Sequence, residues 1–384
     1  MMSAGRLAWL QLKREKVRLL VAIAGVAFAV LLILMQIGFQ DALFASAVQV
    51  HQHLKGDVFL VNPHWSFLAL PKTFPRRRLY QALGFEGVES VSPLYAMIGR
   101  WQNPVNGSTR DVFVLGVDPE YDVLDLPDAN AGRHLFRYPD TVLWDEMARP
   151  EYGPVAATVR QDGALDAELS LHKVSVRGLF RLGTSFGIDG TVLTSDLNLR
   201  RMFPFRSLGA VSIGLIRLRP GTDPASVRAA LTAGLPRDVA VLTKDEFMAR
   251  EVSYWRTSTP IGFVFAFGTV MGLVVGAIIV YQILFADITD HLAEYATLKA
   301  IGYSNAYLVG VVFMEASVLA LIGYLPGLAV SAWLYRLTRN ATMLPLAVTP
   351  ARSAMVLGLT LAMCWASGLI AIRKLGAADP ADVF

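Results

Sequence analysis

The sequence predicts a polytopic α-helical membrane protein, with four transmembrane helices and a large mixed α/β extracytoplasmic domain between the first and second. Three observations carry this. Of the 384 residues, 54% are hydrophobic and only 17% are charged, against about 25% charged in soluble domains. Four apolar runs, Leu19–Phe39, Ile261–Phe285, Tyr307–Val330 and Ala354–Ile372, reach the length of about 20 residues that a hydrocarbon core demands. Between the first and second runs lie roughly 220 residues of ordinary mixed polarity, enough for a core of their own. This composition excludes a disordered chain and an all-soluble one. Cys364 is the single cysteine, so no internal disulfide can form. The net charge of +4 sits largely on residues flanking apolar runs, not in a basic tract with interleaved aromatics, so no nucleic-acid partner is expected.

Residues 1–18 predict a basic amphipathic helix, and the run 19–39 a first span. Ala45-Ser46-Ala47 looks like a signal-peptidase site, but the apolar core is longer than the 7–15 residues of a signal sequence, which points to a retained anchor. Arg6, Lys13, Arg14, Lys16 and Arg18 place the N-terminus in the cytoplasm, and Arg373 and Lys374 place the C-terminus there. Spans at 261–285, 307–330 and 354–372 then leave 286–306 inside, 331–353 outside and 373–384 as an inner tail. One detail fits poorly: the inner loop holds a single Lys299, whereas the outer loop holds Arg336, Arg339 and Arg352.

Within 40–260, strand patterns recur at Val58–Val61, Val88–Ile98, Asp111–Val117, His172–Leu179, Thr191–Leu193, Val211–Leu218 and Val239–Leu242. Helical patterns fall at Pro75–Leu83, Asp223–Ala233 and Lys244–Ser258, the second giving a βαβ unit near the end of the domain. Gln102–Arg110 and Pro127–Pro139 have loop composition. Asp41–Leu54 and Lys244–Ser258 join the domain to the spans as helical stalks, either plain domain edges or transmitters of motion.

No catalytic constellation emerges. Gly183-Thr184-Ser185-Phe186-Gly187 matches a nucleophile elbow, but turn and strand follow it, and the only downstream His, His291, lies across the membrane. Gly178-x4-Gly183-Thr184 lacks the Lys of a phosphate-binding loop, so this chain is not expected to bind ATP by itself. His291-x2-Glu294 lacks the second His of a zinc helix, and His51, His53 and His64 have no evident fourth ligand.

Inside the membrane, Gly268, Gly272 and Gly276 share one helix face, and Gly323 and Gly327 repeat the spacing. Such faces serve a second copy of the chain or packing within it. Glu315 faces protein or a cavity, or reaches headgroups from a helix end. On 286–306, Ile288, Leu292, Tyr295, Leu298 and Ile301 fall at helical spacing, predicting a short amphipathic helix at the inner face. It carries few basic residues for lipid, which favours a protein partner.

The basic start Arg6–Arg18, the large outer domain, three clustered C-terminal spans and EYATLKAIGYS together resemble the FtsX/MacB-like permeases, the membrane subunits of ABC systems. Tyr281–Tyr303, Gly178–Asp196 and Phe313–Gly327 are most similar to the DevC branch. The resemblance implies an ATPase-coupling helix at Asp287–Tyr303, with Asp287, Asp290, His291, Glu294, Tyr295, Leu298, Lys299, Gly302 and Tyr303 as its residues. It further implies two permease copies, a homodimer or a pair of different permeases with the homodimer preferred, set among the lipids of a bacterial inner membrane. A separate ABC ATPase subunit serves them and binds the ATP and Mg, no cofactor being expected in this chain. A periplasmic adaptor (membrane fusion protein), a TolC-type outer-membrane channel reached through it, and a lipid or glycolipid-like substrate complete the implied machine. The alternative is an FtsX-like mechanotransmission subunit that regulates a cell-envelope hydrolase without transport.

Overall fold

The computed structural model describes residues 16–185 and 187–375, with the side chains of 374 and 375 left out. The first fifteen residues of the expected N-terminal helix, Phe186 and the tail from 376 lie outside the described residues. The chain divides into a helical unit, up to Ala42 and from Pro260 onward, and an α/β unit, Leu43–Thr259.

In chain order the elements are α1 (Lys16–Ala47), α2 (Gln49–His53), β1 (Val58–Val61), β2 (Phe74–Pro75), α3 (Arg77–Ala82), β3 (Val88–Gln102), β4 (Thr109–Val117), α4 (Pro127–Ala131) and β5 (Thr141–Asp145). They continue with α5 (Val155–Asp162), β6 (Leu165–Leu169), β7 (His172–Phe180), β8 (Thr191–Ser195), α6 (Asp196–Met202), β9 (Ala210–Val211), β10 (Ile213–Leu218), α7 (Pro224–Gly234), β11 (Ala240–Thr243) and α8 (Lys244–Ser253). The helical unit resumes with α9 (Pro260–Asp290), α10 (Leu292–Ala300), α11 (Asn305–Thr342) and α12 (Pro350–Leu375).

The α/β unit is built on a nine-stranded mixed sheet in the order β11-β1-β10-β3-β4-β8-β5-β7-β6. The long β3 pairs with β10 along its first half and with β4 along its second. Its far end also meets β6, Trp101 opposite Leu169, so the sheet curls back on its longest strand. Alternation drives packing on both faces: Val112, Val114, Val142 and Trp144 enter one core, and Phe113, Leu115, Leu143 and Leu193 the other. The expected βαβ unit is β10-α7-β11, with β1 inserted between its strands and antiparallel to both. Asp223 caps α7 by accepting from the N–H groups of Ala225 and Ser226.

Two expectations are corrected. Pro127–Pro139 is not a loop but α4 followed by a 3-10 turn over Gly132–Arg137, because Pro127 occupies the first helical position, where a missing N–H costs nothing. Strands β5 and β6 fall where no strand was expected, β5 as a five-residue buried run and β6 as a polar edge.

In the helical unit, α1, α9, α11 and α12 are each long and apolar enough to cross a membrane. All four exceed the predicted spans, since apolarity marks the hydrocarbon portion and the helix continues past it. Most of the expected outer loop 331–353 is the last turns of α11, which stops where Met343 turns left-handed. Two ion pairs bracket α1: Arg18 with Asp290 of α9 and Asp41 with Arg352 of α12, each at 2.6 Å. Arg18 and Asp41 lie 23 positions apart, about 35 Å of helix, close to the thickness of a hydrocarbon core. Arg352, one of the arginines that fit the outer loop poorly, is thus neutralised within the chain.

Candidate coupling site

The segment expected to meet an ATPase is not one helix. Asp287 and Asp290 belong to the last turn of α9, the helix is interrupted at His291, and α10 runs from Leu292 to Ala300. Ile288 and Tyr295 are buried and Leu298 half-buried, joining the core formed by α1, α9 and α11. Ile301, expected on that apolar face, is 72% exposed, because the helix has ended and Ile301 is its C-cap. Gly302 follows at φ +105°; its N–H donates to the Lys299 carbonyl and that of Tyr303 to the Leu298 carbonyl, each at 3.1 Å. This is a Schellman closure, which needs a left-handed residue and hence glycine. Ser304 then caps α11 by accepting from Tyr307 N–H at 3.3 Å.

One face of this segment is fixed and the other is free. His291 belongs to the fixed face: it turns its Nδ1 to the Asp287 carbonyl at 2.9 Å and is buried with Asp287. Glu315 of α11 is wholly buried, its carboxyl facing that of Asp287. Outward lie Glu294, Thr297, Lys299 and Gly302. Between this exposed face and α9 and α11 stand the buried His291 and Tyr295.

The glycine rows pack within the chain. A Cβ on Gly268 would meet Gln36, on Gly272 Ile33, and on Gly276 Ala29 and Met363. On α11, a Cβ on Gly323 would meet Val26, and on Gly327 the Ala27 carbonyl at 2.7 Å. Both rows receive α1 between them.

In the α/β unit, the residues tested as catalytic are structural. Ser185 exchanges backbone hydrogen bonds with Ile188, forming a tight turn before β8 and not a strand-to-helix elbow. That turn is anchored by buried Asp145, which accepts from the N–H groups of Met147, Leu182 and Gly183. Burial still pushes the Asp145 carboxyl above its ordinary range. Gly183, at φ +101°, lies against Gln49, whose amide donates to the Leu182 carbonyl. His53 Nδ1 approaches the Gln49 carbonyl at 2.9 Å, and among the described residues no three metal-ligating side chains converge.

One buried pair escaped the sequence reading. Glu251 of α8 accepts from Leu68 N–H at 2.9 Å and from Trp255 Nε1 at 3.1 Å. His51 Nε2 of α2 lies 3.6 Å from its carboxylate, the imidazole packed edge-on against Phe247 at 4.4 Å. Burial pushes Glu251 up to about 7 and His51 down to about 3. A usable signal existed: Phe247, Glu251 and Trp255 are spaced four apart, which sets a carboxylate on an apolar stripe.

Comparison with known proteins follows this division. The model of the MacB-like periplasmic core domain matches residues 19–233, more than half the chain, and that of the FtsX-like permease C-terminal matches 266–380. The chain is similar to the periplasmic region of MacB from Actinobacillus actinomycetemcomitans, at 10% identity and TM-score 0.35, covering 52% of this chain and 94% of that one. It is also similar to the extracellular domain of the noncanonic ABC-type transporter YknZ from Gram-positive bacteria, at 14% identity and TM-score 0.32, covering 49% and 99%. Among curated proteins, no relative matches the chain. With a periplasmic core model over its first part and a permease model over its last, this chain belongs to the FtsX/MacB-like permeases, as a multi-pass membrane subunit of ABC type.

Proposed function

We propose that the chain couples ATP hydrolysis by a separate ATPase subunit, docked on Leu292–Tyr303, to movement of its α/β unit. The observation that supports this is the two-sided build of that segment: Glu294, Lys299 and Gly302 exposed, with Tyr295 and His291 buried among the spans. In this reading the chain itself is no enzyme, and ATP and Mg are bound by the partner. It acts as a homodimer in a bacterial inner membrane with both termini cytoplasmic. The α/β unit, engaging a periplasmic adaptor and through it a TolC-type channel, drives export of an amphiphilic substrate of lipid or glycolipid type, as in the DevC branch.

Purification of the tagged chain in mild detergent, with identification of co-purifying proteins, tests this. An ATPase and an adaptor are expected. Glu294→Ala with Lys299→Ala should leave the α/β unit folded while abolishing stimulation of the ATPase by the permease. An intact chain that brings no ATPase, or unchanged coupling in the double variant, overturns the coupling site. An ATPase recovered with an envelope hydrolase and no adaptor replaces export by mechanotransmission.

A further inference from the structure

We propose that His51 and Glu251 form a proton-operated latch between α2 and α8: protonated Glu251 holds the two helices together, and loss of its proton lets them part. These helices stand where the chain enters and leaves the α/β unit, so their separation sets how firmly that unit's two connections are tied. The inference stands on the α/β unit alone and does not depend on the coupling reading.

The geometry is that of a pair able to share one proton. Glu251 Oε2 is 3.6 Å from His51 Nε2, a small movement short of a hydrogen bond. Both side chains are almost wholly buried, and among the described residues neither ring nitrogen of His51 has a hydrogen-bond partner. With the proton on Glu251 the pair is neutral, and the nearest acceptor for its O–H is the His51 imidazole, 3.6 Å away. Once the proton leaves for solvent, a carboxylate stands in an apolar setting where the hydrogen bonds it holds are those from Leu68 N–H and Trp255 Nε1, with His51 still 3.6 Å away. A buried charge so placed gains by admitting water.

Among the described residues no other charge compensates it. Arg250 donates to the Pro63 carbonyl, and Lys244 to the carbonyls of Gln52 and Leu54. Arg256 lies over the Phe44 ring. Glu246 closes the cap of α8, and Asp57 on the neighbouring strand side accepts from Leu218 N–H. Asp145 is held by backbone N–H groups, Asp189 pairs with Arg110 and Arg149, and His53 is turned to the Gln49 carbonyl. There is room for water beside the carboxylate: a cavity of about 20 Å³, enough for one water, is lined by Val50, Leu68, Gly187, Glu251 and Trp255.

The test uses the full chain in detergent, with Cys364→Ser to remove the native thiol and spin labels at Gln52→Cys and Ala249→Cys, both exposed positions. Between pH 5 and 9 the short-distance population should fall as pH rises through about 7, its ratio to the long-distance population dropping about tenfold between pH 6 and pH 8. Glu251→Gln, a carboxamide that never ionises, should hold the short distance throughout. Distances that do not change with pH, or that titrate alike in Glu251→Gln, overturn the latch. A second measurement needs no substitution: hydrogen exchange over 244–258, corrected for intrinsic rates, should rise between pH 6 and 8. Protection that stays constant across this range also overturns it.

Discussion

Two helix junctions in this chain use the same residue types and finish them differently. In the α/β unit Glu251 meets His51 between α8 and α2, and its oxygens take fixed donors, Leu68 N–H and Trp255 Nε1. In the helical unit Glu315 meets Asp287, beside His291, with one carboxyl facing another. Donors fix position in the first case. In the second, position comes from the helices packed around the group, and elsewhere in the same unit the close approach of α1 depends on glycine. The α/β unit should therefore fail when an acceptor is removed, and the helical unit when an atom is added.

The largest effect is expected from Asp145→Ala. It strips the acceptor from three N–H groups, those of Met147, Leu182 and Gly183. Leaving them unpaired costs about 3–4 kcal/mol, read as a lower denaturation midpoint of the full chain and loss of the turn against Gln49. An unchanged midpoint would show that the turn does not depend on Asp145.

Next come the glycines. Gly327→Ala presses on the Ala27 carbonyl, which cannot swing aside as a side chain can, and Gly323→Ala presses on Val26. Each should lose about 2 kcal/mol through overpacking. Gly310→Ala, in the same helix with open space around it, should lose nothing. Equal melting of Gly310→Ala and Gly327→Ala would refute the close approach of α1.

The buried pair predicts opposed pH slopes. Glu251, with a folded pKa of about 7 above its ordinary 4.5, contributes stability that is complete below pH 4.5 and lost as pH rises through 7. His51, at about 3 below its ordinary 6.5, contributes stability that is complete above pH 6.5 and lost as pH falls toward 3. Between pH 4.5 and 6.5 the folded and unfolded chains bind the same number of protons at these groups, so the native chain shows no net slope from the pair. His51→Gln should then lose stability as pH rises through this window, by up to about 1.4 kcal/mol per unit, and Glu251→Gln should gain it. Parallel slopes in the two variants would break the assignment.

Much of this was legible in the sequence, for a physical reason. Spans and the longer strands leave extended apolar runs, so Leu19–Phe39 and Asp111–Val117 announce themselves by length. What escaped depends on contacts between distant residues. β5 is a short run with no alternation to read, because both its faces are buried. The service of the glycine faces could not be chosen until α1 lay between them. Glu251 was missed because a lone Glu in an amphipathic helix is ordinarily solvated, and only Phe247 and Trp255 on either side marked its stripe.

The smallest expected effect separates the two units most cleanly. Gly302, after α10, and Gly163, after α5, both take positive φ, +105° and +79°, and a Cβ on either would meet nothing within 4 Å. Alanine therefore brings backbone strain without a clash at each, about 1 kcal/mol or more, and more at Gly302, whose φ lies further outside the left-handed region. Stability should fall in both variants. Gly302 alone closes the segment that presents Glu294 and Lys299, and fraying there redirects Lys299 and Ile301. Gly302→Ala should thus weaken stimulation of the partner ATPase several-fold, with Gly163→Ala leaving it unchanged. Equal loss of stimulation in both would trace the effect to general instability, and equal retention would mean that the partner reads the face of α10 without its cap.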